Sequence, residues 1–202
     1  EHPYSNPPEY YFSDAIPDYA QKINHSDLRT IYSPIAQVLF LSEGLYPDSI
    51  YGWWILILMA DISLVIFTWL YLNKKNIHWQ YFAVVWLNPI WLKEGLNSGH
   101  LDIMVAIFIW LAVIFSIKGS IKHNYLSIFF ASLCAGIRPY LGIISLNLLR
   151  HKQFKLFLIF LILFFLPWIV LLSMPHAPPI QEALSSWFVF VKRWDFNSLF
   201  FD

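Results

Sequence analysis

Of 202 residues, 58% are hydrophobic, 19% aromatic and only 13% charged, whereas an ordinary soluble domain is about 45–50% apolar and about 25% charged. That balance excludes a purely soluble protein and predicts an all-α, polytopic transmembrane helix bundle. A formal net charge of +0 with a pI near 7.3 leaves no basic footprint for nucleic acid, and the single cysteine, Cys134, excludes an intramolecular disulfide framework.

The chain opens at Glu1 within a polar stretch that shows neither a Met start nor a signal-peptide pattern, and it is expected to be a fragment whose missing part includes a membrane helix. Residues 1–30 are rich in proline and in Asx and Ser turn formers and carry no sustained apolar period, so they read as irregular loop. Ser33-Pro34 is a helix start, with Ser as N-cap and Pro at the first position. Ile35, Val38, Leu39 and Ser42 follow on one face before Gly44. The result is a helix of about three turns, too short to span and suited to the interface. Residues 1–48 thus form an external loop with an interfacial helix.

Residues 49–174 form the expected membrane bundle. Trp53 to Leu72 supplies 20 residues with one ionisable group, Asp61, which matches the ~20 needed to cross the hydrocarbon core. Trp53, Trp54, Trp69 and Tyr71 mark its interfacial ends. Tyr81 to Leu92 is broken by Asn88-Pro89 and at 1.5 Å per residue reaches about 18 Å, short of a ~30 Å core. Leu101 to Ile117 is the next span. Tyr125 to Leu149 divides at Arg138-Pro139 into two short arms, and Phe154 to Met174, containing Pro167, is the last span. Residues 175–202 form an external aromatic segment.

Lys74, Lys75, Lys118, Lys122, Arg150, Lys152 and Lys155 occupy three short loops, and none of the chain's 13 acidic residues falls there. The positive-inside rule makes all three loops cytoplasmic. Residues 125–149, flanked by basic loops on both sides, should therefore enter the membrane and return on the same side. The amino-terminal loop, the Glu94 to Asp102 loop, the Arg138 tip and the carboxy-terminal segment then share the external face. Elements too short to fill the bilayer predict a cavity there, floored by broken helices, where irregular backbone and charge are tolerated.

Glu94, His100 and Asp102 are the candidates for proton transfer or hydroxyl contact, although Asp102 also suits the positive end of a helix dipole. Asn97-Ser98-Gly99 precedes a helix whose exposed N–H groups would attract an anion. A lone Arg138 at membrane depth costs ~2.5–3.5 kcal/mol on the insertion scale and needs an anionic partner. A phosphate held by the planar guanidinium is one such partner, and a structural ion pair with Glu94, Asp102 or Asp61 is the alternative. Asp61 reads as a hydrogen-bonded group within the bundle. The run from Trp187 to Phe200 is either the wall of a groove or an interfacial belt. No metal-ligand spacing, phosphate loop or nucleophile motif occurs, so no cofactor is expected, with a divalent ion left open.

Several landmarks occur in order: His2-Pro3-Tyr4; Ile23-Asn24-His25; Thr30-Ile31-Tyr32-Ser33-Pro34 to Phe40; Ala60-Asp61; Asn88-Pro89 to Glu94-Gly95; Asn97-Ser98-Gly99-His100-Leu101-Asp102; Arg138-Pro139; and Arg193-Trp194-Asp195-Phe196-Asn197. Together they resemble bacterial GT-C-type membrane glycosyltransferases, above all the polyprenyl-phosphate-mannose-dependent mannosyltransferases. The resemblance implies an inverting transfer of a hexose, mannose foremost, from a polyprenyl-phosphate sugar donor to a glycan or glycolipid acceptor at the external face of the bacterial inner membrane. It places the acidic base in a first external loop, which would precede Glu1. It makes Arg138 a phosphate ligand, with Asn97, Tyr32 and Asn88 as further substrate contacts. From other classes, a lipid or solute transporter with a midplane site and a non-catalytic membrane subunit are the alternatives.

Overall fold

The computed structural model describes residues 4–7, 10, 27–30, 32–42, 51–97, 99–118, 120–146, 151–186 and 188–189, and among them it is all-helical with no strand. Two helices are long and apolar enough to cross a membrane: α2, Tyr51–Lys74, and α6, Phe154–Leu172. A third crossing results if the π-helical turn Trp91–Asn97 and α4, Asp102–Lys118, which meet at a bend of 107°, count as one. The chain divides into two compact units, Ser33–Leu166 and Glu1–Tyr32 with Pro167–Asp202. The division falls inside α6 at Pro167, whose ring removes a backbone donor.

In the first unit, α2 turns Trp53, Ile57, Ala60, Asp61, Leu64, Thr68 and Leu72 inward. These positions recur every three or four residues and form one stripe, which packs on α4. The opposite face is just as apolar. Leu58, Met59, Ile62, Ile66 and Phe67 are all exposed, and a helix greasy on every side finds its complement only in lipid or in a larger core. α6 is more extreme, with Phe154, Leu158, Ile162 and Phe165 each more than half exposed. Trp53, expected as an interfacial marker, is only 9% exposed. Its indole N–H donates to the Gly99 carbonyl at 2.9 Å, which ties the start of α2 to the loop before α4.

α4 and α5, Ile121–Ile137, form an antiparallel pair. The Ser127 hydroxyl donates to the Ala112 carbonyl at 2.7 Å and the Cys134 thiol to the Val105 carbonyl at 3.4 Å. Ser127 and Cys134, both small, permit this close approach. α5 begins at Ile121, four residues earlier than the expected arm, behind Ser120, whose side chain caps the His123 N–H. It ends at Arg138, in extended conformation as a residue before proline must be, and the 3-10 turn Pro139–Ser145 follows. The Lys155 ammonium lies 5.9 Å from the centre of the Tyr125 ring, while Phe160 packs with Ile128 and Ala135 further along. α5 and α6 therefore start at the same end.

α1, Pro34–Phe40, has the expected cap, with Ser33 Oγ accepting from the Ala36 N–H at 3.3 Å. It is shorter than the expected three turns, and its buried face differs. Val38 is 65% exposed while Ala36 is fully buried, because Ile35 seats against Gly136 of α5. The helix is held by the helical core.

In the second unit, Tyr4 is 1% exposed, stacks on Trp168 with ring centres 5.8 Å apart and donates to the Tyr32 carbonyl at 2.6 Å. Burial pushes its phenol above the ordinary tyrosine range. Arg29 pairs with Glu182 at 3.0 Å.

Candidate functional site

The broken helix builds the site. α3, Gln80–Trp86, stops ahead of Asn88-Pro89, since Pro89 lacks an N–H and cannot continue it. The helix then restarts under a new cap, with the Asn88 side-chain oxygen accepting from the Ile90 N–H at 2.9 Å and Pro89 preset for a first helical position. The restarted chain takes the form of the π-helical turn Trp91–Asn97, a geometry found mostly as single turns and frequently at functional sites.

Beside this restart lies a cleft of ≈ 520 Å³ lined by Asn88, Ile90, Trp91, Gly95, His100, Asp102 and Ile103. Its polar edge comes from Asn88, His100 and Asp102, its apolar wall from Trp91, Ile90 and Ile103. Asp102 occupies the first turn of α4, where a carboxylate complements the helix dipole. Across the helix pair it receives Arg138 in fork geometry, Nε to Oδ1 and Nη2 to Oδ2, both at 3.0 Å. The two side chains are 31% and 53% exposed. At that exposure the pair fixes geometry more than it adds stability, about 0–1 kcal/mol being usual for exposed ion pairs.

A second polar centre lies behind the cleft. Asp61 is 2% exposed. Both of its oxygens accept from the Trp86 indole N–H, and Oδ1 also accepts from Trp91 Nε1, each at 3.1 Å. Trp86 precedes the Asn88-Pro89 break and Trp91 comes after it, so one carboxylate on α2 clasps both sides.

The structure brings Asn88, His100 and Asp102 to one cleft and joins Arg138 to it through Asp102. Of the two anionic partners expected for Arg138, a phosphate or a carboxylate of the chain, the carboxylate of Asp102 is the one in place. Asn97 is exposed at the end of the π-helical turn and does not line the cleft. Tyr32 belongs to the other compact unit, where its carbonyl holds Tyr4. The Glu94 side chain, Ser98, and the stretches 1–3, 23–26 and 190–202 that carry further landmarks lie outside the described residues. Trp91, Gly95 and Ile103 escaped sequence reasoning. Their only signal was proximity to Asn88-Pro89 and Asp102, since an apolar residue in a greasy chain does not announce a cleft wall.

Among the described residues no three His, Cys, Asp or Glu side chains are grouped so as to hold a metal ion. Comparison of the chain with protein-family models, with curated proteins and with solved structures finds no match in any of the three.

Proposed function

We propose that this chain is part of a multi-pass membrane glycosyltransferase of the GT-C kind, which transfers a hexose, mannose foremost, from a polyprenyl-phosphate sugar to an acceptor hydroxyl at the external face of a bacterial inner membrane. One observation supports the reading most: a guanidinium and a carboxylate in fork contact at the rim of a cleft that also holds an amide, an imidazole and an indole, in a chain with two helices long and apolar enough to cross a membrane. An aqueous edge meets an apolar body there, which is what a substrate with a sugar, a phosphate and a polyprenyl tail requires.

In such a transfer the acceptor oxygen attacks the anomeric carbon as the bond from that carbon to the phosphate oxygen breaks. The acceptor proton passes to a base and the lipid phosphate leaves as an anion. In this reading Arg138 supplies the fixed cation for the growing charge on the leaving phosphate, its planar fork exchanging the Asp102 carboxylate it holds here for two phosphate oxygens. His100 and Asp102, which line the same cleft, are the groups this reading assigns to the acceptor hydroxyl.

The test is donor kinetics of the intact protein in membranes. Arg138→Lys keeps the charge and loses the fork, so donor KM should rise about tenfold, the loss of one charge-assisted hydrogen bond, and Arg138→Met should cost more. Unchanged donor KM in Lys and Met variants that melt at lower temperature would reduce Arg138 to a pin between α4 and α5 and sink the phosphate assignment.

A further inference from the structure

A carboxylate deep among membrane-spanning helices is expensive and marks function by default. Asp61 is such a group: it sits mid-way along α2, 2% exposed, and its described hydrogen bonds come from two indoles. Two neutral N–H donors solvate a carboxylate, yet a lone helix would be more stable with an apolar residue here. What the carboxylate gains is geometry. Trp86 and Trp91 flank a break where the backbone has lost its ladder, and a common acceptor fixes the second helical piece relative to the first. Trp91 is the one member of this clasp that also lines the cleft. Its tethered N–H leaves the ring with one orientation.

The chemistry around that ring indicates the ligand. A pyranose presents a patch of C–H groups on its face and hydroxyls around its rim. It is bound by an aromatic ring for the face with amide, imidazole and carboxylate groups for the rim, and Trp91, Asn88, His100 and Asp102 combine these in one cleft. A polyprenyl chain would ask for a wall without the polar edge.

We propose that Asp61 is a positioning residue that, by holding Trp86 and Trp91 across the Asn88-Pro89 break, sets the Trp91 ring as the platform on which a hexopyranose stacks in this cleft. The proposal rests on the glycosyltransferase reading for its substrate class and adds where the sugar sits and what orients its platform.

The experiment measures binding of methyl α-D-mannopyranoside and methyl α-D-glucopyranoside to the intact protein in nanodiscs, by saturation-transfer NMR and calorimetry. Trp91→Ala should raise the Kd of whichever hexoside binds about tenfold, through loss of the ring face. Asp61→Asn leaves one neutral oxygen for both indoles and puts an amide NH2 where Oδ2 accepts from Trp86, which weakens the clasp and should raise it about threefold. In a Trp91→Ala background, Asp61→Asn should add nothing, because its effect travels through the ring. A merely structural Asp61 would give effects that multiply, and that result overturns the proposal. If Asp61→Asn yields no folded protein, Trp91→Phe cuts the same tether from the other side, keeping a ring and losing the N–H. Binding as tight as the parent's would then show that the tether orients nothing.

Failure of both hexosides to bind the parent also overturns the platform. Hexosyl transfer from a polyprenyl-phosphate hexose, assayed alongside, keeps the two ideas separate. Transfer that persists and responds to Arg138→Lys while hexoside binding ignores Trp91 removes the platform alone. Hexoside binding in the predicted order without any transfer supports the platform and removes the transferase.

Discussion

Gly99 has a φ of +62°, in the left-handed region that costs an L-residue about 1–2 kcal/mol. A Cβ there would lie 3.2 Å from Trp53 Nε1 and 3.5 Å from the Trp54 ring, so the backbone conformation strains a side chain and the Trp53 indole crowds it. Gly99→Ala should lower the stability of the folded protein in detergent by about 1–2 kcal/mol, read as a fall in Tm. Trimming the neighbour with Trp53→Phe should not restore it, because the backbone strain remains and the hydrogen bond to the Gly99 carbonyl is lost as well. Full recovery in the double variant would show that crowding alone had been at fault. At this scale Asp102 and Arg138 were legible as isolated charges in nearly uncharged surroundings, but their mutual fork, across 36 residues of sequence, was one of several pairings the sequence allowed.

The helix pair α4 and α5 is the unit to which the site is attached, since its open end carries Asp102 on one helix and Arg138 on the other. Its outer surface receives α1 through Ile35, and a Cβ built on Gly136 would collide with the Ile35 side chain. Gly136→Val should therefore displace α1 and cost about 1–3 kcal/mol, the usual range for overpacking. Ile35→Ala in the same molecule should recover part of the loss, and a melting series of the two single variants and the double one decides it. Additive losses would mean that the contact is not what seats α1. The start of α1 was readable because caps are local, Ser33 bonding an N–H three residues on; Ser120 makes the same bond, but the apolar run that marked this arm in the sequence begins only at Tyr125. The ends of α3 and of the π-helical turn were harder to place, because Pro89 breaks a helix in a predictable spot while the form of the restart depends on what it packs against.

For the whole molecule, the basic residues predict orientation. Lys118 and Lys122 flank the turn between α4 and α5, and Lys155 lies over Tyr125 at the same end, so these cations cluster at one end of Ser33–Leu166 without help from any membrane. In intact cells, with Cys134 replaced by Ala, a cysteine at position 152 should resist an impermeant maleimide until the membrane is opened, whereas one at position 97 should react from outside. Reaction of both from the same side would refute the inside assignment of the basic loops.

Composition by itself determined that Tyr51–Lys74 and Phe154–Leu172 are long and apolar enough to cross a membrane, because apolar residues on every side of a helix find their complement in lipid or in a larger core. Charge spacing led to the expectation that residues 125–149 turn back, and Ser33-Pro34 and Arg138-Pro139 marked where α1 begins and α5 stops. Tertiary structure alone decided which polar groups meet. Asp61 takes the N–H groups of Trp86 and Trp91, Arg138 takes Asp102, Trp53 turns inward to Gly99, and Asn97 stays outside the cleft lining. The physical reason is one of range. Capping, helical period and lipid transfer act on residues a few positions apart, and their consequences can be read along the chain. A buried hydrogen bond or ion pair is chosen by which helices pack at which depth, a competition among distant partners of nearly equal chemistry that only the assembled core resolves.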